Sequence, residues 1–292
     1  MQKKNNIIFI TSFNKKIGYG HYNRVRSIFN NIKKYSLILL DSRIKILDKK
    51  ILYINLKKPQ KKYFKIIKDS VVIVDLPKIN PNLNNFLKKC NSKKLVYFND
   101  ENKDYKIFDI NVSILSSKNN KYSGKKFITL DKNLLQTKKK ITIDYLVTLG
   151  MSSNNFNLKL AIILNKLKKK TIYITNKKIK NFKYVKFIKP CNKKKFYNLL
   201  NLSHCVISAA GQTCFEALYL KKKILVFKTA KNQNNNIKFL NQNSFKTYDN
   251  LPEFLTNEKH ALNIMKNLIK SNQKIISIKN GSSFISNIFC NF

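Results

Sequence analysis

The sequence predicts an α/β protein of two consecutive domains, each a parallel sheet with crossover helices. Three observations carry this. Short β-branched runs alternate with helical stretches, the rhythm that parallel sheets impose. The rhythm lapses once, over the polar, lysine-rich segment 131–142, and then restarts. The length, 292 residues, suits two domains of about 140 each, and 43% apolar with 12% aromatic residues can fill two cores. The expected division is therefore 1–140 and 141–292.

In the first half, strands are expected at 7–11, 37–40, 51–54, 71–74, 94–98 and 111–114, with helices at 22–34, 61–68 and 82–89. In the second half, strands are expected at 143–149, 171–174, 184–187, 205–208 and 224–227. Helices are expected there at 156–168, 193–201, 212–220 and 234–240, with further helical segments at 253–270 and 283–289 closing the chain. Two such sheets in succession usually trap ligand in the cleft between them, near the carboxyl ends of the strands.

Composition narrows the function classes. Lysine and arginine total 59 against 14 acids, a net charge of +45, yet the only arginines are Arg24, Arg26 and Arg43. The lysines are spread along the whole chain, as a solvated surface would have them. Specific nucleic-acid binders favour arginine forks for bases and phosphates, so no specific nucleic-acid partner is expected. The same lysines permit weak association with an anionic membrane surface. Five cysteines (Cys90, Cys191, Cys205, Cys214, Cys290) without CxxC spacing predict reduced, mostly buried thiols and no zinc site. No apolar run approaches a membrane span, and the opening Ile7-Ile8-Phe9-Ile10 is too brief for a signal peptide. A cytoplasmic location is expected.

The glycines and the rare residues mark two candidate sites. Gly18-Tyr19-Gly20-His21 falls between the first strand and the first helix, followed by Arg24 and Arg26. Glycines at such a turn admit close ligand approach, and the helix N-terminus presents its amides to an anion. His21 in the first helical turn sits where the dipole disfavours imidazolium, which leaves a ring able to accept a proton as a general base. His204, at the start of a buried strand, and His260, placed mid-helix, read as structural.

The second site follows the strand at 205–208, where Ala209-Ala210-Gly211-Gln212-Thr213 leads into a helix. Small residues leave room for phosphate oxygens against the amides of Gly211, Gln212 and Thr213. Glu216, one turn on in an apolar helix, is placed to hydrogen-bond a ribose diol.

Together the two clusters resemble a known family. Ile-Gly-Tyr-Gly-His-Tyr-Asn-Arg at 17–24 is similar to the N-terminal signature of the UDP-2,4-diacetamido-2,4,6-trideoxy-β-L-altropyranose hydrolases of pseudaminic acid biosynthesis. The second cluster, with Lys231-Asn232-Gln233, resembles their C-terminal nucleotide-sugar motif, which related glycosyltransferases share. Lys279-Asn280-Gly281-Ser282 is similar to the family's closing turn.

The resemblance implies a GT-B fold of two Rossmann-like domains, a UDP-sugar substrate and no cofactor or metal. It implies His21 as catalytic base, with Gly18, Gly20, Asp75, Asn99 and Asp100 on the loop and sugar side. It implies UDP contacts from Gly211, Gln212, Thr213, Glu216, Asn232 and Gln233, with Phe187 and Ile188 where backbone atoms read uracil. The chain departs from the family pattern at Ile10 and Ser12, where an Arg and an Asp are usual. It departs again at Leu76-Pro77 in place of His-Tyr, and at Met151 in place of a second glycine. The reaction expected from the resemblance is hydrolysis at the sugar–diphosphate bond, with His21 deprotonating water; transfer of the sugar to an acceptor hydroxyl is the alternative.

Overall fold

The computed structural model describes residues 6–14, 19–100, 105–137, 139–150, 156–177, 179–249, 251–271, 273 and 276–292. The chain forms two units, Met1–Asp131 together with Lys279–Phe292, and Lys132–Ile278.

The first unit runs β1 (Ile7–Ser12), α1 (Gly20–Ile32), β2 (Ser36–Asp41), β3 (Ile51–Tyr53), α2 (Phe64–Ile67), β4 (Val71–Asp75), α3 (Pro81–Lys89), β5 (Lys94–Phe98) and β6 (Ile110–Val112). The sheet is wholly parallel, in the order β3-β2-β1-β4-β5-β6. Alternate residues of each strand point to opposite faces, and both faces are covered. Phe9, Ile73 and Val96 pack with Val25, Ile28 and Phe29 of α1 on one side. Ile8, Ile10, Val72 and Val74 pack with Ile67, Leu83 and Leu87 on the other. This two-sided burial explains why the strands read as unbroken apolar runs rather than alternating ones. Local signals set the ends: Asn80 caps α3 by accepting from Leu83 N at 2.8 Å, with Pro81 at the first helical position.

The second unit repeats the plan. It runs β7 (Ile143–Thr148), α4 (Phe156–Lys166), β8 (Thr171–Ile174), β9 (Val185–Ile188), α5 (Lys193–Leu202), β10 (Ser203–Ala209), α6 (Gln212–Tyr219), β11 (Lys223–Phe227), α7 (Asn234–Gln242), β12 (Thr247–Tyr248), α8 (Leu251–Thr256) and α9 (Glu258–Lys270). Its order, β12-β11-β10-β7-β8-β9, is again parallel throughout and is the same winding as the first sheet. In each sheet the winding reverses direction between two central strands, β1 and β4 or β7 and β10. Open α/β sheets bind ligands at the carboxyl ends of that pair. No helix among the described residues is long and apolar enough to cross a membrane. All five cysteines are free thiols, with Cys90, Cys205 and Cys214 buried.

Four details correct the sequence reading. The expected helix at 61–68 is a short 3-10 turn followed by one turn of α2. The expected helix at 253–270 is two, broken at Asn257, whose side chain caps α9 by accepting from His260 N at 2.9 Å; His260 therefore lies in a first turn. The two-residue β12 was too short to show any period.

The fourth is the largest. The closing helix α10 (Ser282–Cys290) belongs to the first unit, not to 141–292, and the division falls at Asp131 rather than 140. Ile285 and Phe289 enter the core beside α1, and Ser286 Oγ donates to Ile28 O at 3.1 Å. The return is pinned by Asn280, which exchanges hydrogen bonds with the backbone of Leu130 at 2.8 and 3.0 Å.

Gly281 occupies that joint, and a Cβ there would lie 2.1 Å from Lys126 O and 2.9 Å from Ile128 O. Backbone cannot yield as a flexible side chain does. Gly281→Ala is expected to cost on the order of 3 kcal/mol, the upper range of overpacking. Urea unfolding of the two proteins measures it.

Candidate active site

The first cluster assembles at the carboxyl ends of β1 and β4. Gly18 lies outside the described residues. Gly20 opens α1, and a Cβ on it would meet nothing within 4 Å, so that side of the turn is open. His21 follows in the first turn and is buried. Its Nδ1 lies 2.7 Å from Oδ1 of Asp75, the fully buried last residue of β4. An ionised carboxylate can only accept, so Nδ1 carries a proton, and in the neutral ring Nε2 is the basic nitrogen.

Arg24, the last residue of the 17–24 motif, lies one turn further along α1. Its Nε and Nη2 donate to Asp75 at 2.7 and 2.5 Å, and its Nη1 and Nη2 donate to Asp100 at 2.9 and 2.7 Å. The guanidinium carbon stands 4.8 Å from the centre of the Phe98 ring. Burial opposes both charges, but the pairing outweighs it. Arg24 is held well above its ordinary pKa by Asp100 and Asp75, and Asp75 below the usual carboxylate range by Arg24 and His21.

Asp100 thus joins the cluster, and its Oδ2 comes within 3.8 Å of His21 Nδ1. Asn99 precedes it, just after β5, with its N–H bonded to Val112 O at 2.9 Å. Among the described residues, His21, Asp75 and Asp100 bring ligand-type atoms within 4.8 Å of one another. Both carboxylates are already forked by Arg24, so a guanidinium is the cation around which this cluster is built.

The second cluster lies at the carboxyl end of β10. Gly211 is the residue before α6, in extended conformation, and offers no capping side chain; a Cβ on it would meet nothing within 4 Å. Gln212 and Thr213 are half-buried in the first turn. The first turn of α6 contains no acid that would repel an anion at the positive end of the helix.

Two contacts hold the strand-to-helix turn from the inside: Asn236 Nδ2 donates to Ala210 O at 2.7 Å, and Cys214 Sγ donates to Gly211 O at 2.9 Å. Ser208 Oγ is buried with no hydrogen-bond partner among the described residues. Glu216 is only 7% exposed, so it is not a solvated helix charge. Gly150, after β7, has φ +72°, in the left-handed region that favours glycine, whereas Met151 lies outside the described residues.

Three positions carried over by resemblance are otherwise engaged. Gln233 Oε1 accepts from Thr229 N at 2.8 Å and Ala230 N at 3.3 Å, clamping the turn after β11. Phe187 N donates to Asn181 Oδ1 at 2.8 Å, and Ile188 O accepts from Thr175 N at 3.0 Å. Asn232 is in the short 3-10 turn that precedes α7.

No family model matches the chain, and no curated protein matches it. Solved structures do. UDP-GlcNAc 2-epimerase of Methanocaldococcus jannaschii, in complex with UDP-GlcNAc and UDP, is 12% identical with a TM-score of 0.67, over 98% of this chain and 100% of that one. MurG of Acinetobacter baumannii is 9% identical with a TM-score of 0.61, over 98% and 100%. The spinosyn rhamnosyltransferase SpnG, complexed with thymidine diphosphate, is 8% identical with a TM-score of 0.62, over 98% and 95%. The two-sheet α/β architecture is that of these GT-B neighbours.

Proposed function

We propose that the protein hydrolyses a UDP-linked sugar, with His21 as the general base that activates water. The observation that carries this is the 2.7 Å hydrogen bond between His21 Nδ1 and buried Asp75 at the point where the first sheet reverses its winding. It is a histidine oriented by a buried carboxylate, in the position where α/β sheets place ligands.

The water O–H proton passes to Nε2 while the water oxygen bonds the anomeric carbon. The bond from that carbon to the diphosphate oxygen breaks, and its electron pair leaves with UDP. The departing charge is assigned to the amides of Gly211, Gln212 and Thr213 at the start of α6. Glu216 is assigned the ribose hydroxyls, and Asn232 the sugar side. Gln233 acts by holding the 229–230 turn, as its hydrogen bonds describe.

Support for a nucleotide-sugar ligand comes from the neighbours, two of which carry UDP or thymidine diphosphate. Support for a 2,4-diacetamido-2,4,6-trideoxy sugar comes from the 17–24 motif.

The test is incubation with UDP-linked diacetamido-trideoxy sugars without any acceptor, following UDP and free sugar. Equal release of both is the expected result. No turnover until an acceptor alcohol is added would replace hydrolysis by glycosyl transfer, with the same histidine serving the acceptor hydroxyl.

A further inference from the structure

The surroundings of His21 pose an electrostatic problem. A base must be uncharged before it can take a proton, and His21 Nδ1 lies 2.7 Å from Asp75 and 3.8 Å from Asp100. Two bare carboxylates at that range stabilise imidazolium. Among the described residues, Asp75 at the end of β4, Asp100 just after β5 and Arg24 of α1 bring charge to the ring. Arg24 supplies the cation among these three; its Nη2 lies 3.4 Å from the ring nitrogen while the guanidinium makes two hydrogen bonds to each carboxylate.

We propose that Arg24 is a positioning residue that keeps His21 a base: a resident cation that offsets the paired carboxylates and locks Asp75 against Nδ1. This rests on the reading of His21 given above. The choice of residue fits the role. The chain uses lysine almost everywhere, with only three arginines among 59 basic residues. A lysine ammonium is a point charge, whereas the planar fork can satisfy two carboxylates at once. The fork also occupies the carboxylate oxygens that a divalent ion would need.

The experiment is a 15N NMR titration of the histidines in wild type, Arg24→Lys and Arg24→Gln, with folding checked by circular dichroism. With three histidines in the chain, His21 is assigned by its loss in His21→Ala. Removing the guanidinium charge beside paired carboxylates is expected to raise the His21 midpoint in Arg24→Gln. Arg24→Lys falls between. The acid limb of the kcat/KM profile moves the same way.

A midpoint that stays or falls in Arg24→Gln overturns the proposal. If that variant does not fold, Arg24→Lys decides on the same criterion. The titration needs no substrate, so it stands even if the wild type fails to hydrolyse any UDP-sugar. A midpoint that rises while the acid limb stays fixed supports Arg24 as the offsetting cation and removes His21 as the base.

Discussion

Asp75→Asn is expected to lower turnover by about 10²–10⁴-fold, the range associated with loss of a general base. An asparagine offers one accepting oxygen where the carboxylate offers two. Asp75 uses both, Oδ1 toward His21 and Arg24, and Oδ2 toward Arg24. If the amide turns its NH2 to the ring, the imidazole proton is forced onto Nε2 and the base is lost.

The same substitution leaves a buried guanidinium with Asp100 as its remaining carboxylate, and breaking a buried pair from one side costs about 3–5 kcal/mol. The pH dependence follows from the direction of the Asp75 shift. Despite burial, Arg24 and His21 hold its folded pKa below the ordinary value. The contribution is therefore fully present above the unfolded value near 3.9 and is lost as pH falls through the lower folded value. Urea unfolding at pH 7 and on acidification below about pH 4 should show a wild-type decline that is reduced in Asp75→Asn. A variant with wild-type turnover and unchanged stability would contradict this role for the carboxylate.

Glu216→Ala is expected to weaken UDP binding by about 10–150-fold, since hydrogen bonds to a charged group contribute roughly 1.5–3 kcal/mol. Glu216 is buried one turn into α6, beyond the amides assigned to the diphosphate. Calorimetry with UDP, and with ADP as the contrasting nucleotide, separates recognition of the ribose from recognition of the base. Glu216→Gln keeps the side-chain volume and isolates the charge. Unchanged UDP affinity in both variants would remove Glu216 from the site.

Much of this architecture was legible because both sheets are parallel and buried on both faces. Val71–Asp75 and Ser203–Ala209 announce themselves as apolar runs bounded by polar segments. Elements fixed by distant partners were harder to read. The closing helix α10 returns to the first unit through Asn280 and Leu130, 150 residues apart, and no local pattern encodes such a pairing. Two-residue β12 owes its existence to the edge of β11.

At the site, His21, Asp75 and Asp100 were legible as residues but not as one hydrogen-bonded unit. The missing piece was Arg24, and its signal was rarity: an arginine kept in a lysine-saturated chain. Gln233 shows the reverse case. Its place in a motif pointed to the sugar, while its side chain is spent on the neighbouring backbone.

The most direct measurement is turnover of a UDP-linked diacetamido-trideoxy sugar by His21→Ala, with UDP affinity measured on the same sample. The account predicts that release of UDP and sugar falls by about 10²–10⁴-fold, while UDP binds as tightly as to the wild type, because the nucleotide contacts are assigned to the second unit. Wild-type turnover in His21→Ala would contradict it.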